Sequence, residues 1–484
     1  MAESGVKIGL EIHVQLTALK SKLFCSCPTD YRGKPPNTNI CPVCLGLPGV
    51  LPVVNRKAIE YAIMVALALN CKLSNKVVFV RKHYFYPDLP KNYQISQYDG
   101  IGSTPLCRDG YLQIRVNGKN KVVRIRRINI EEDPGRLTYP TGDIATSRYS
   151  LVDYNRSGIA LLEIVTEPDI HTPQEARAFL TKLVSILEHL GITDISLEGA
   201  FRVDANISIG GGGRVEVKNI GSIKDVERAL SYEILRQRSI VAKGGVVKRE
   251  TRHWDSSKRI TVSLRVKETE EDYRYFPDPD LPPITISDEL VKQVMERMPE
   301  LPDHRIKRFM KQYGLDEYRA TVLVMEKWLA DLFESVAKLY SNYKRIADLL
   351  ITDFMRWVNE FRLTPRDVKA TPQVLAKLLR LLDQGVISIK IVKEILPEII
   401  SKGVDPEDYI KKKRLTRIAD EEYLRNIVRE IIHKNRKAAL DALTNPRAIN
   451  YLIGMVMKQT RGRADPSITA KLVREELARL KEEK

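Results

Sequence analysis

The period of the apolar residues changes once along the chain, and that change limits the fold more than any other feature. Up to about residue 289, β-branched residues alternate with polar ones in GYLQIRVNG (110–118), KVVRIRRINI (121–130), RVDANISI (202–209) and RITVSLRVKE (259–268). Gly, Pro and Asn punctuate these runs, which is the pattern of strands joined by turns. This part holds 21 of the 26 glycines, and GGGGR at 210–214 reads as a hairpin turn. Two helices interrupt it. RKAIEYAIMVALALN (56–70) is apolar on nearly every face and reads as a buried helix. In 173–190, Pro173 suits a first turn, and Leu180, Leu183, Val184, Leu187 and Leu190 form one stripe. After the proline-rich FPDPDLPPI (276–284) the spacing becomes helical, as in 320–340 and 371–382. A second break, SKGVDPED (401–408), leads into a tail with helices over 420–443 and 466–481, the last opened by Asp465-Pro466. The expected fold is α+β: a mixed, largely antiparallel sheet domain (1–289), an all-α helical domain (290–405) and a small helical tail (406–484).

Charge narrows the partners. Lys and Arg number 79 against 62 Asp and Glu, a net +17 that points to a polyanion, most simply nucleic acid. The excess is densest in 406–484, with 19 basic and 12 acidic residues, whereas 1–289 has 40 and 34. KKKR (411–414) and KQTRGR (458–463) are its tightest clusters, and a solvated helical face is the alternative reading of such runs. The longest uncharged stretch, 35–55, carries five prolines and cannot span a membrane. The opening MAESGVKIGLEIHV lacks the basic-then-apolar order of a secretion signal, so a soluble cytoplasmic protein is expected.

Six cysteines are too few for a disulfide scaffold. Four of them, Cys25, Cys27, Cys41 and Cys44, form two close pairs separated by a polar, turn-rich loop. That spacing matches a structural four-thiolate zinc site, with four unligated thiols as the alternative. Cys71 and Cys107 fit no such pattern and read as buried fillers.

Carboxylates occur in unusual contexts in the first domain: GLEIHV, NIEEDPGR, LLEIVTEPD, FRVDANIS and RVEVKNI. A glutamate flanked by apolar residues in a strand, as Glu11, Glu163 and Glu216 are, faces inward or into a cleft and needs a cation or a metal. Glu11 and His13 alternate and so share one side of a strand. They read equally as a metal-binding pair or as a satisfied histidine beside a solvated glutamate. In KHYFYPDLPKNYQISQYD (82–99), Lys82, His83 and Lys91 interleave with Tyr84, Phe85, Tyr86 and Tyr93. Such a segment suits a nucleotide or a tRNA end, or else packs as an aromatic loop. The phosphate-loop, dinucleotide and nucleophile-elbow motifs are absent.

Taken in order, IGLEIHVQL, PGVLPVVN, KHYFYPDLPKNYQISQYD, SLVDYNRSGIALLEIVTEPD, FRVDANIS, VEVKNI and DYRYFPDPDLPP resemble the GatB family, the B subunits of the tRNA-dependent amidotransferases. The likeness runs to the tail, where NYLIGMVMKQTRGRADPSI resembles the family's YqeY-like domain. The related GatE subunit carries a large insertion for which 484 residues leave no room.

The resemblance implies a reaction. Glu or Asp mischarged on tRNA is phosphorylated by ATP on its side-chain carboxylate, and ammonia displaces the phosphate. The implied partners are a glutaminase subunit, GatA, a small subunit, GatC, and misacylated tRNA. It also implies roles: His13, Glu132 and Glu163 as magnesium ligands with Glu11 close by, and Lys82 and Lys91, with Tyr84, beside the ATP phosphates. Arg202 and Asp204 match the cleft wall, Asp204 as a second acid, and Lys458, Arg461 and Arg463 would grip tRNA backbone. EEDPGR departs from the family's EEDAGK-like segment yet keeps the charged residues. The alternative is a non-catalytic, zinc-stabilised subunit that only presents tRNA.

Overall fold

Along Val6–Gln15 (β1) a buried apolar set alternates with a polar set, and this strand organises the first part of the molecule. The computed structural model describes residues 5–100, 102–142, 147–263, 270–413, 415, 420–443, 445–460 and 463–482. The chain divides into two compact units, 1–305 and 306–484.

In the first unit β1 joins β2 (Lys72–Leu73), β3 (Cys107–Val116), β4 (Lys119–Glu132), β5 (Ala160–Thr166), β6 (Phe201–Ile209), β7 (Val215–Ile220), β8 (Glu250–Asp255) and β9 (Ile260–Ser263). The order across the sheet is β9-β8-β7-β6-β1-β5-β4-β3-β2. Every pairing except β7 with β8 is antiparallel, so the sheet is mixed and largely antiparallel, as the alternation predicts. GGGGR does turn one strand into its neighbour, between β6 and β7. Of the 259–268 run, the strand covers 260–263 and residues 264–269 lie outside the described set.

One face of the sheet is apolar. Val6, Ile8, Leu10, Ile12 and Val14 are at most 2% exposed and share a core with α1 (Arg56–Ala68), α2 (Pro173–His189) and α3 (Ile223–Ala242). α1 is buried nearly all round, and the Asn55 side chain caps it by accepting from the N–H groups of Lys57 and Ala58. Thr172 caps α2 in the same way, and Leu180, Leu183, Val184 and Leu187 form its buried stripe. Cys71 and Cys107 are buried in this core. With that face committed to the helices, a one-residue slip of β1 would turn its charged set into the core, so the register is fixed.

The second unit is helical and contains two apolar clusters, one spanning Phe309 to Ile410 and one spanning Leu424 to Leu477. The 320–340 segment is two helices, Glu317–Met325 and Lys327–Ala337, not one. In a straight helix Val324 and Phe333, nine residues apart, would point to opposite sides. Extended backbone at Glu326 lets both enter one core. Gly403, with φ +68°, ends the helix Ile389–Lys402 as a left-handed cap. The final helix, Pro466–Glu482, begins where Asp465 accepts from the N–H groups of Ser467 and Ile468. Among the described residues no helix is long and apolar enough to cross a membrane.

Candidate active site

The other face of the sheet is polar, and register decides what meets there. Asn129, Glu163, His13 and Arg202 stand directly opposite one another across β4, β5, β1 and β6. Glu11 stands opposite Asp204 in the adjoining row. Directly opposed residues in an antiparallel sheet have Cβ atoms about 5 Å apart, so positions separated by up to 193 residues become neighbours.

Donor atoms of Glu11, His13 and Glu163 all lie within 4.8 Å of one another. Glu11 Oε1 is 3.6 Å from His13 Nε2, and His13 Nδ1 is buried with no hydrogen-bond partner among the described residues. Glu163 accepts from Asn129 Nδ2 at 2.5 Å. Glu131 is buried beside them and accepts from Ser96 Oγ at 2.5 Å and Gln94 Nε2 at 3.2 Å. Burial, then the nearby Glu163 and Asp204, push the Glu11 carboxyl up to about 8. Burial followed by Glu131 raises Glu163, and burial raises Glu131. Burial, Arg202, Lys82 and Lys218 hold His13 well below its usual value, so the ring is neutral. A neutral imidazole beside crowded carboxylates is a donor set that fits a divalent metal.

Cations rim this cluster. Burial works against the charge of Lys82, yet Tyr275, Glu131, Tyr84 and Tyr273 raise its pKa. Its Nζ lies 4.8 Å from the Tyr273 ring centre and 5.9 Å from that of Tyr84. Arg202 donates to the fully buried Asp133 at 3.1 Å, and Gln15 donates to the other Asp133 oxygen at 2.5 Å. Asp204 accepts from the Asn219 N–H at 2.7 Å and lies 3.5 Å from Lys218 Nζ. An open pocket of about 460 Å³ is lined by Arg156, Ser196, Gly199, Arg202 and Asn219, among others.

Glu132 is not among the gathered donors. Both its carboxylate oxygens accept from Lys91 Nζ, at 2.5 and 2.6 Å, and Oε1 also accepts from the Ile95 N–H at 2.8 Å. Glu132 and Lys91 line a cavity of about 180 Å³ with Phe24, Cys25, Cys44 and Gly46. The structure gathers Glu11 with His13 and Glu163 and pairs Glu132 with Lys91, while strand parity puts Glu131, with Asn129, on the face of Glu163. That parity is readable in INIEE, where Ile128 and Ile130 mark the apolar side.

Comparison with known proteins sets these segments in one family. The GatB/GatE catalytic domain profile matches residues 6–292, and the GatB domain profile matches 331–477. The chain is 60% identical over 469 residues to the aspartyl/glutamyl-tRNA(Asn/Gln) amidotransferase B subunit of Sulfurisphaera tokodaii, covering 97% of this chain and 98% of that protein. The chain belongs to the GatB family of amidotransferase subunits. Relatives of the same name from Sulfolobus acidocaldarius (59% over 472 residues, 98% of this chain and 99% of that one) and Thermotoga maritima (48% over 474 residues, 96% and 97%) align over nearly their whole length.

In this GatB family member, the Sγ atoms of Cys25, Cys27, Cys41 and Cys44 lie within 4.8 Å of one another. One tetrahedral ion, with Zn–S of about 2.3 Å, could draw all four in. The Cys44 thiol is pulled down to about 4 by the hydrogen bond from Cys25, with Lys22 and the Cys41 N–H adding to it against burial. Lys458 is exposed on the helix Pro446–Gln459, and Arg463 donates to the Thr460 carbonyl at 3.3 Å. Arg461 lies outside the described residues. Sequence reading missed Asn129, Glu131, Asp133 and Lys218. Only Glu131 carried a usable signal, its parity.

Proposed function

We propose that this chain activates and amidates misacylated tRNA. A carboxylate oxygen of Glu or Asp esterified to tRNA attacks the γ-phosphorus of ATP, and ADP leaves. Ammonia then adds to the acyl carbon, and inorganic phosphate leaves with the C–O electron pair. A carboxylate is a poor acyl donor, so the acyl phosphate supplies the leaving group. The observation that carries this reading is the cluster of Glu11, His13, Glu163 and Glu131, whose carboxyls are raised and whose imidazole Nδ1 has no hydrogen-bond partner among the described residues.

A magnesium ion held by Glu11, His13 and Glu163 would screen the phosphate oxygens. Lys82, kept charged between tyrosines and Glu131, faces the charge that develops on the transferred group. Arg202, fixed by Asp133, and Asp204, fixed by the Asn219 N–H, orient the aminoacyl end from the opposite strand. Lys91 and Glu132 pair with each other and line a cavity beside the cysteine loop. Ammonia comes from a glutaminase subunit of the GatA kind, clasped with a small GatC subunit, in the cytoplasm. Zinc in the four-cysteine loop is structural, and Lys458, Arg461 and Arg463 contact tRNA.

The test is single-turnover phosphate release from ATP with mischarged tRNA. Glu163→Gln is expected to lower it by at least about 100-fold. Release at the wild-type rate would leave the chain as a presenter of tRNA only.

A further inference from the structure

Among the described residues Lys22 has the largest fully buried side chain that carries a charge, with no measurable exposure. Its Nζ donates to the Asn39 carbonyl at 2.9 Å and to Cys44 Sγ at 3.7 Å. Among the described residues no carboxylate lies within ion-pair distance of it. A buried ammonium held only by neutral acceptors would be unfavourable, because ordinary hydrogen bonds do not offset its desolvation. The anion it needs is a thiolate.

The position of this charge is built, not incidental. The Lys22 N–H donates to the Cys27 carbonyl at 2.9 Å, so the lysine belongs to the first cysteine pair. Asn39, whose carbonyl receives Nζ, is itself held: its N–H donates to Asn155 Oδ1 at 2.7 Å and its side chain to the Pro28 carbonyl at 2.6 Å. A side chain at Gly158 would touch the lysine stem, with a Cβ 3.5 Å from Cδ. The Cys41 N–H donates to Cys44 Sγ at 3.1 Å, a second donor aimed at the same sulfur.

We propose that Lys22 is the built-in counter-charge of the four-cysteine centre, a positioning residue that lets Cys25, Cys27, Cys41 and Cys44 bind a divalent metal as four thiolates. Four thiolates around a zinc ion leave two negative charges, and Lys22, buried against Cys44, cancels one of them. This rests on the metal reading of the cysteines and adds to it a specific charge requirement. Removing the charge weakens metal binding about 10- to 100-fold, the usual effect of losing a partner of a metal ligand. Replacing one thiolate by a neutral ligand relieves the need for it. Cys25 borders the adjacent cavity, so an imidazole has room there.

The full-length chain is loaded with zinc, and its affinity is measured by competition with a chromogenic chelator. Reactivity of the cysteines toward a thiol reagent is followed in parallel. Lys22→Met is expected to weaken zinc by 10-fold or more and to expose thiols, while Lys22→Arg and the exposed Lys20→Met stay within about twofold of wild type. In a Cys25→His background, the Lys22→Met penalty is expected to fall to about twofold or less, and this arm remains readable if Lys22→Met alone fails to fold. A wild-type chain that binds no zinc overturns the metal reading itself. A wild-type chain that binds zinc, with Lys22→Met unchanged or with equal penalties in both backgrounds, overturns the role of Lys22 alone.

Discussion

In the sheet cleft, Glu11, Glu131 and Glu163 stand close together and their carboxyls are held above the usual range by burial and by one another. In the C-terminal helices, Glu476 is as buried as Glu131 and Glu163, yet Arg429 and Arg425 at 3.0 Å and Arg479 at 3.1 Å hold its carboxyl below that range. Burial opposes ionisation in both places. The difference is the balance of partners: three arginines outweigh burial at Glu476, whereas in the cleft burial and mutual repulsion outweigh Lys82, Lys218, Arg127 and Arg202. A network in which arginines outweigh burial holds helices together; carboxyls raised together around a histidine form a candidate site for a cation.

The largest effect that would break this contrast is on catalysis. Glu163→Gln should abolish tRNA-dependent phosphate release while leaving the thermal midpoint equal to or above that of wild type, because a crowded carboxylate is gone. Glu476→Gln should do the reverse, lowering the midpoint of the tail by about 5 °C with amidation intact. Differential scanning calorimetry beside a single-turnover assay decides both, and a Glu163→Gln protein that loses stability as well as activity would make the cleft another structural network.

The two acids should also respond oppositely to pH. The Glu11 carboxyl rises from 4.5 to about 8 on folding, so its contribution to stability is full below 4.5 and is lost as pH climbs through 8. Glu11→Gln should therefore stabilise the metal-free chain at pH 9 and change little at pH 4.5. Glu476 is depressed below 4.5, so its contribution is present above 4.5 and lost as pH falls through its lowered value. The Glu476→Gln deficit should be full at pH 7 and shrink in acid. Urea unfolding in EDTA across this range reads both signs.

The smallest expected effect concerns RNA. Lys458→Ala should weaken tRNA binding several-fold and reduce the slope of log affinity against log salt by about one. Phosphate release at saturating tRNA should be unchanged, because this residue lies in the tail and not on the sheet. A filter-binding titration at several salt concentrations checks it.

Much of the architecture was legible in the chain because local chemistry writes it. Caps at Asn55, Thr172 and Asp465 start helices where side-chain oxygens reach free N–H groups. Alternation in GLEIH shows Glu11 and His13 on one side of a strand, and the cysteine spacing shows a four-sulfur cluster. The break at Glu326 was not legible, since it is imposed by a core that needs both Val324 and Phe333. Nor was the burial of Lys22, which depends on Asn39, Asn155 and Gly158 arriving from distant segments.

By itself the sequence determined the sheet-then-helix order, the apolar face of β1, and which residues carry charge, because period and capping act over a few neighbours. The tertiary structure alone decided that Asn129, Glu163, His13 and Arg202 share a row beside Glu131, whose side of the strand the alternation in INIEE already marks. It also paired Lys91 with Glu132. Strand order and register link residues more than a hundred positions apart, and no local pattern encodes which strand lies beside which.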